Sequence, residues 1–205
     1  MALTATKIAN MALGKLGAKQ IASAYTLDTD TTPDGLQAAL HYEQTRDALL
    51  RSFVWRFAIG RATLQMDSAT PPFEYSNHFL LPTDFLRMIS VYDDNSGNAE
   101  NITEYPYAIE GNRLLIDETS VSIRYIKRIT DVTLFDPLFV EVLILKLAIK
   151  MLPPLAGTDA NQLMQGLIEE LRQVMSSARL VSFSESNTSG ESHYTNWNNS
   201  RHTGI

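Results

Sequence analysis

A run from Leu138 to Leu152 that is apolar on nearly every side constrains this chain more than any other feature. It opens at Asp136-Pro137, a carboxylate at the N-cap followed by proline at the first helical position. Glu141, Lys146 and Lys150 interrupt it, so it is too short and too charged to span a bilayer. A helix with no polar face must sit centrally, covered by other elements. Pro153-Pro154 is expected to end it, because proline lacks the amide that continues a helix.

Three further segments have the spacing to cover such a helix. Between Leu3 and Leu16, Ala5, Ile8, Ala9, Ala12 and Leu16 share one helical face, and Gly14 and Gly17 close the segment. Thr32-Pro33 starts a second helix, expected to run to about Phe53, with Ala39, Tyr42, Leu49, Leu50 and Phe53 as its stripe. Arg46 falls inside that stripe and is expected to snorkel or find a carboxylate. The last helix begins near Thr158-Asp159 and lines up Leu163, Leu167, Leu171, Val174, Ala178 and Val181.

Between the second and third helices the period changes to two. Ala58, Gly60, Ala62, Leu64 and Met66 alternate with Phe57, Ile59, Arg61, Thr63 and Gln65. Short strands are expected at Phe79–Leu81, Leu86–Tyr92, Tyr105–Ile109, Arg113–Asp117 and Val121–Ile129, punctuated by Pro71-Pro72 and Leu81-Pro82-Thr83-Asp84. Glu110-Gly111-Asn112 reads as a hairpin loop whose glycine can take a positive φ. From Ser184 to Ile205 the chain is rich in Ser, Asn and Thr, a composition that cannot build its own core.

The pattern predicts an α+β fold, mainly α: an antiparallel helical bundle with a β-rich insertion and an extended C-terminal tail. Residues 1–56 and 131–183 form the bundle, 57–130 the insertion and 184–205 the polar extension. At 205 residues, 44% apolar and 20% charged, the chain can bury one substantial core. No basic leader with an apolar run is visible at the N-terminus.

Candidate chemistry is sparse. Zero cysteines exclude disulfides, thiolate nucleophiles and Cys-ligated metals. His41, His78, His193 and His202 share no metal-ligand spacing, and phosphate-loop, dinucleotide and serine-elbow motifs are missing. Asp93, Asn95 and Glu104 fit parts of a calcium-loop register, but Gly97 stands one place early and Glu100 occupies an aliphatic position. These readings predict no catalytic residue, cofactor or metal site. A net charge of −6, with the 17 basic residues scattered, argues against a protein built to grip nucleic acid. Basic and aromatic residues mix at Phe53–Phe57 and Arg124–Arg128, where the apolar members keep a core-facing period. In the tail, Tyr194 and Trp197, with Arg201 and Ile205, are the expected partner-binding residues, since aromatics dominate hot spots.

Several segments together resemble the tail tubular protein A, or head-to-tail adaptor, family of short-tailed phages. They are Ala12-Leu13-Gly14-Lys15-Leu16-Gly17-Ala18, Arg46-Asp47-Ala48-Leu49-Leu50-Arg51 through Trp55-Arg56-Phe57-Ala58, and Leu81-Pro82-Thr83-Asp84-Phe85-Leu86-Arg87. Tyr107-Ala108-Ile109-Glu110-Gly111-Asn112, Tyr125-Ile126-Lys127-Arg128 and Phe135-Asp136-Pro137-Leu138-Phe139 leading to Lys146-Leu147-Ala148 follow in the family's order. The final 22 residues match no pattern of the family.

The resemblance implies a structural virion protein at the head–tail junction, made in the host cytoplasm. It implies a ring of about twelve copies around the DNA channel, the portal protein on one face and the tail nozzle or tail tube on the other. Genomic DNA would pass through the lumen without sequence-specific binding, and no membrane is involved. A stopper or head-completion protein of a long-tailed phage is the alternative. A tail-associated hydrolase is a further one, with the loops around Asp84 and Asp117 as the place for its carboxylates.

Overall fold

The computed structural model describes residues 3–93, 100–101, 106–156 and 160–185. Among them are four α-helices, α1 (Ala5–Lys15), α2 (Pro33–Ser52), α3 (Pro137–Ala156) and α4 (Ala160–Ser184). Eight strands lie between α2 and α3: β1 (Ile59–Thr63), β2 (Gln65–Met66), β3 (Asn77–Leu80), β4 (Phe85–Asp93), β5 (Glu100–Asn101), β6 (Ala108–Glu110), β7 (Arg113–Ile116) and β8 (Val121–Lys127). The fold is α+β and mainly α, as the alternation of periods predicts.

Local chemistry sets the helix starts. The Thr4 hydroxyl accepts from the Lys7 amide at 3.1 Å, and that of Thr32 from the Gly35 amide at 3.2 Å. Asp136 Oδ1 accepts from the Leu138 and Phe139 amides at 2.8 and 3.2 Å. Gly35 is required by close packing: a Cβ there would stand 2.2 Å from Oδ2 of the buried Asp30.

Helix α3 is central, with α1, α2 and α4 each packed against it. Phe139, Val142, Leu143, Leu145, Leu147, Ala148 and Met151 are sealed from solvent. Each large side chain buried this way contributes about 1.5–3 kcal/mol. Trp55 joins this core, meeting Phe139 edge-on at 5.1 Å and donating its indole N–H to the Leu49 carbonyl at 2.9 Å. Both halves of an amphipathic aromatic are thereby satisfied.

The strands form two four-stranded antiparallel sheets, ordered β1-β8-β4-β5 and β2-β3-β7-β6. Strand β8 pairs with both β1 and β4, and its alternation feeds two cores. Val121, Ile123 and Tyr125 join Phe79, Leu114 and Ile116, while Ile126 joins the helical core. In the β6–β7 hairpin Gly111 has φ 59°, the left-handed conformation expected at that turn.

The buried Arg46, 5% exposed, has found its carboxylate. Its Nε donates to Asp47 Oδ1 at 2.8 Å, and Glu43 lies 3.8 Å from its Nη1. Asp47 Oδ2 accepts in turn from Arg128 Nε at 2.8 Å, just beyond β8. Asp47 thus ties α2 to the end of the sheet. Arg51 adds a second tie by donating to the Leu86 carbonyl of β4 at 2.5 Å.

Four expectations need correction. Pro153 and Pro154 do not end α3, which continues to Ala156. Proline's fixed φ suits a helix, so two missing amide donors in the last turn weaken it without stopping it. The alternation from Ala58 to Met66 is not one strand: a 3-10 turn covers Arg56–Ala58, and the chain changes sheets at Leu64. Leu64 is buried between the sheets, its amide donating to the Val121 carbonyl at 2.8 Å. On α2 the buried alanine is Ala38, with Ala39 only partly covered. On α4, Leu163 and Val181 are exposed, because no described element covers the first turn and Ser182 takes the inward position near the end.

Because Asp47 compensates a buried cation, Asp47→Ala is expected to lower stability by about 3 kcal/mol. Arg128→Ala, which removes a half-exposed partner, should cost less than about 1 kcal/mol in the same urea titration. Equal losses would contradict the assignment of Asp47 as the compensating charge.

Candidate functional site

The described surface offers two features beyond ordinary packing, one on the helices and one on the first sheet. The helical feature begins at Phe53, which caps α2 in extended conformation and turns its ring edge-on to Trp55 at 5.3 Å. Arg179 of α4 holds its guanidinium 5.6 Å from the centre of the Phe53 ring, a cation–π contact. Together with Arg172, Met175, Ser176 and Leu180 these residues line an open groove of about 480 Å³. Leu180 is 69% exposed on its rim.

Positive charge gathers beside this groove. Burial holds the Lys146 ammonium below the ordinary lysine value, and the neighbouring Lys150 and Arg179 charges lower it further. Among the described residues, Lys146, Lys150 and Arg179 form no ion pair with a carboxylate. Arg172 meets Glu169 at 3.6 Å, an exposed pair of little energetic weight. The groove combines aromatic and aliphatic surface with unneutralised cations. Such a surface suits an acidic, partly apolar protein segment.

The end of α4 is clamped nearby. The Ser182 hydroxyl accepts from the Arg56 amide at 3.4 Å, and the Ser182 carbonyl accepts from Arg56 Nε at 3.3 Å. Glu185 is the last described residue; Tyr194, Trp197, Arg201 and Ile205 lie outside the described residues.

The positions considered for catalysis have local duties. Asp84 accepts from the Tyr125 hydroxyl at 2.9 Å; burial first, and then this carboxylate, push that phenol up to about 12. Asp117 accepts from the Ser76 amide at 2.8 Å at the head of β3. His78 sits on β3 opposite Leu115, and its Nδ1 is buried without a hydrogen-bond partner among the described residues. Among the described residues no group of three His, Asp or Glu side chains is placed to hold a metal ion. Most of the calcium-loop register, including Asn95, Gly97 and Glu104, lies outside them. No helix among them is long and apolar enough to cross a membrane.

Sequence reading did not single out the groove. Lys146 and Lys150 stand four apart on α3 and Arg172 and Arg179 seven apart on α4, so each pair shares a helical face. That was a visible signal of a basic stripe; the approach of Phe53 to Arg179 was not visible. No protein-family model matches the chain, and no curated protein is similar to it in sequence.

A lysine whose pKa is lowered on folding binds fewer protons in the native than in the unfolded state. Stability therefore rises with pH from that lowered value towards the ordinary 10.5. Lys146→Met keeps the stem and removes the charge. It is expected to raise the urea midpoint at pH 7 and to flatten the alkaline rise. A lower midpoint would show that Lys146 is compensated in the native chain.

Proposed function

We propose that the chain is a structural virion protein, a head-to-tail adaptor that joins the phage portal to the tail nozzle or tail tube. In this reading residues 1–56 and 131–183 are an antiparallel bundle, 57–130 its insertion and 184–205 an extended tail that binds a partner. Copies assemble head to tail into a closed ring of about twelve around the DNA channel. Genomic DNA passes through without sequence readout.

The observation that carries the proposal is the unfinished helical surface. Leu36 and Leu40, four apart on α2, are 53% and 63% exposed, and Leu180 projects beside the cationic groove on α4. Large apolar side chains gathered on a helix face usually mark contact with another protein. The resemblance of the quoted segments between Ala12 and Ala148, taken in sequence order, is what suggests the particular assembly. Many weak contacts to one ring would add through effective concentration, so no single interface has to be tight. A terminal segment of polar composition suits stepwise assembly, in which the interface is completed by the partner.

Native mass spectrometry of the purified chain, alone and with portal rings, tests this. A monomer alone and about twelve copies per portal ring are expected, with binding lost when residues 184–205 are deleted. Binding that survives the deletion would remove the tail from the interface. No binding to portal rings would overturn the adaptor reading.

A further inference from the structure

Strands β1 and β8 place two arginines directly opposite each other. The register pairs Arg61 with Arg124, and the next pair on the same face is Thr63 with Ser122. Tyr92 of β4 stands opposite Ser122 on the other side of β8 and completes the row. These side chains line a groove of about 380 Å³ with no acidic residue in its lining among the described residues.

Like charges directly opposed on antiparallel strands repel, and such pairs destabilise a sheet. Among the described residues no carboxylate offsets the repulsion. Among the described residues neither Arg61 nor Arg124 forms an ion pair. Arg124 Nε is buried and lacks a hydrogen-bond partner there, although a buried donor left unsatisfied destabilises the fold. The contrast with Arg46 and Arg113, each paired at 2.8 Å with an aspartate, is direct. Hydroxyl groups surround the two guanidiniums. Thr63 Oγ1 and Ser122 Oγ are 2.7 Å apart, and the Tyr92 hydroxyl accepts from Ser90 Oγ at 3.2 Å, leaving its own proton to donate.

We propose that this groove is an oxyanion site that takes a phosphate group, held between the Arg61 and Arg124 guanidiniums. Two fixed cations side by side are neutralised by a dianion, whereas one carboxylate leaves a positive charge behind. Phosphate also offers three oxygens, enough for two guanidinium forks and a hydroxyl donor. The groove has room for part of the molecule that carries the phosphate. The site is independent of the adaptor reading, since it rests on the register of β1 and β8.

The test uses the full chain, as wild type, Arg61→Gln, Arg124→Gln and the double variant, titrated with inorganic phosphate at constant ionic strength. The arginine Nε–H resonances are followed by NMR, alongside the thermal midpoint. In the wild type a saturable shift of the Arg124 Nε–H signal is expected, with a phosphate-dependent rise in midpoint. Affinity should fall about tenfold in each single variant, and the response should vanish in the double variant. Without phosphate, Arg61→Gln should be at least as stable as wild type, because the repulsion is gone. That measurement also shows that the variant folds. A linear, unsaturable response, or an equal response in the double variant, would overturn the proposal. So would acetate saturating the site as well as phosphate does. A second arm distinguishes the source of the phosphate with a short DNA duplex. Duplex binding that phosphate competes away would overturn the dianion argument, because each backbone phosphodiester carries one charge, and would assign the site to a nucleic-acid backbone instead. Phosphate saturation without duplex binding assigns it to a small phosphate ester or free phosphate.

Discussion

The burial of α3 on almost all sides is the constraint on which the rest of the structure depends. A helix whose only polar residues are Glu141, Lys146 and Lys150 has to be covered on its other sides, and three other helices pack against it. The sheets are added from one side, where Ile126 and Leu86 enter the helical core and the Phe53–Phe57 aromatics seal the corner against Phe139. Hydrophobic burial alone does not fix how sheet and helix meet. Asp47, shared between Arg46 and Arg128, supplies a directional contact there.

Much of this was legible because the signals were local. Thr32-Pro33 and Asp136-Pro137 carry their own capping chemistry, and Gly111 announces a turn that needs positive φ. The apolar period of α3 reported its burial directly. What was missed depends on partners distant in sequence. The change of sheets at Leu64 depends on pairing with Val121. The exposure of Leu163 depends on what fails to reach it, which no period encodes. Arg61 and Arg124 each look like a solvated basic residue on a strand; only the register makes them neighbours.

The same division holds for function. The groove at Phe53 and Arg179 joins residues from the ends of two helices, so the sequence showed its charges without their aromatic floor. The residues first marked for partner binding, Tyr194, Trp197, Arg201 and Ile205, stand in a segment whose composition argues for an external anchor. The groove lies on the helix that leads into that segment. The adaptor proposal links apolar and cationic groups left uncovered among the described residues with a terminal segment whose Ser, Asn and Thr composition is polar.

The most direct measurement of the adaptor proposal is an electron cryo-microscopy map of short-tailed phage particles produced with this chain, searched with the described residues between 3 and 185. The adaptor account predicts a ring of about twelve copies immediately below the portal, with the α4 groove covered by a neighbour or by the portal. Particles that lack the chain, or hold it away from the head–tail junction, would contradict it.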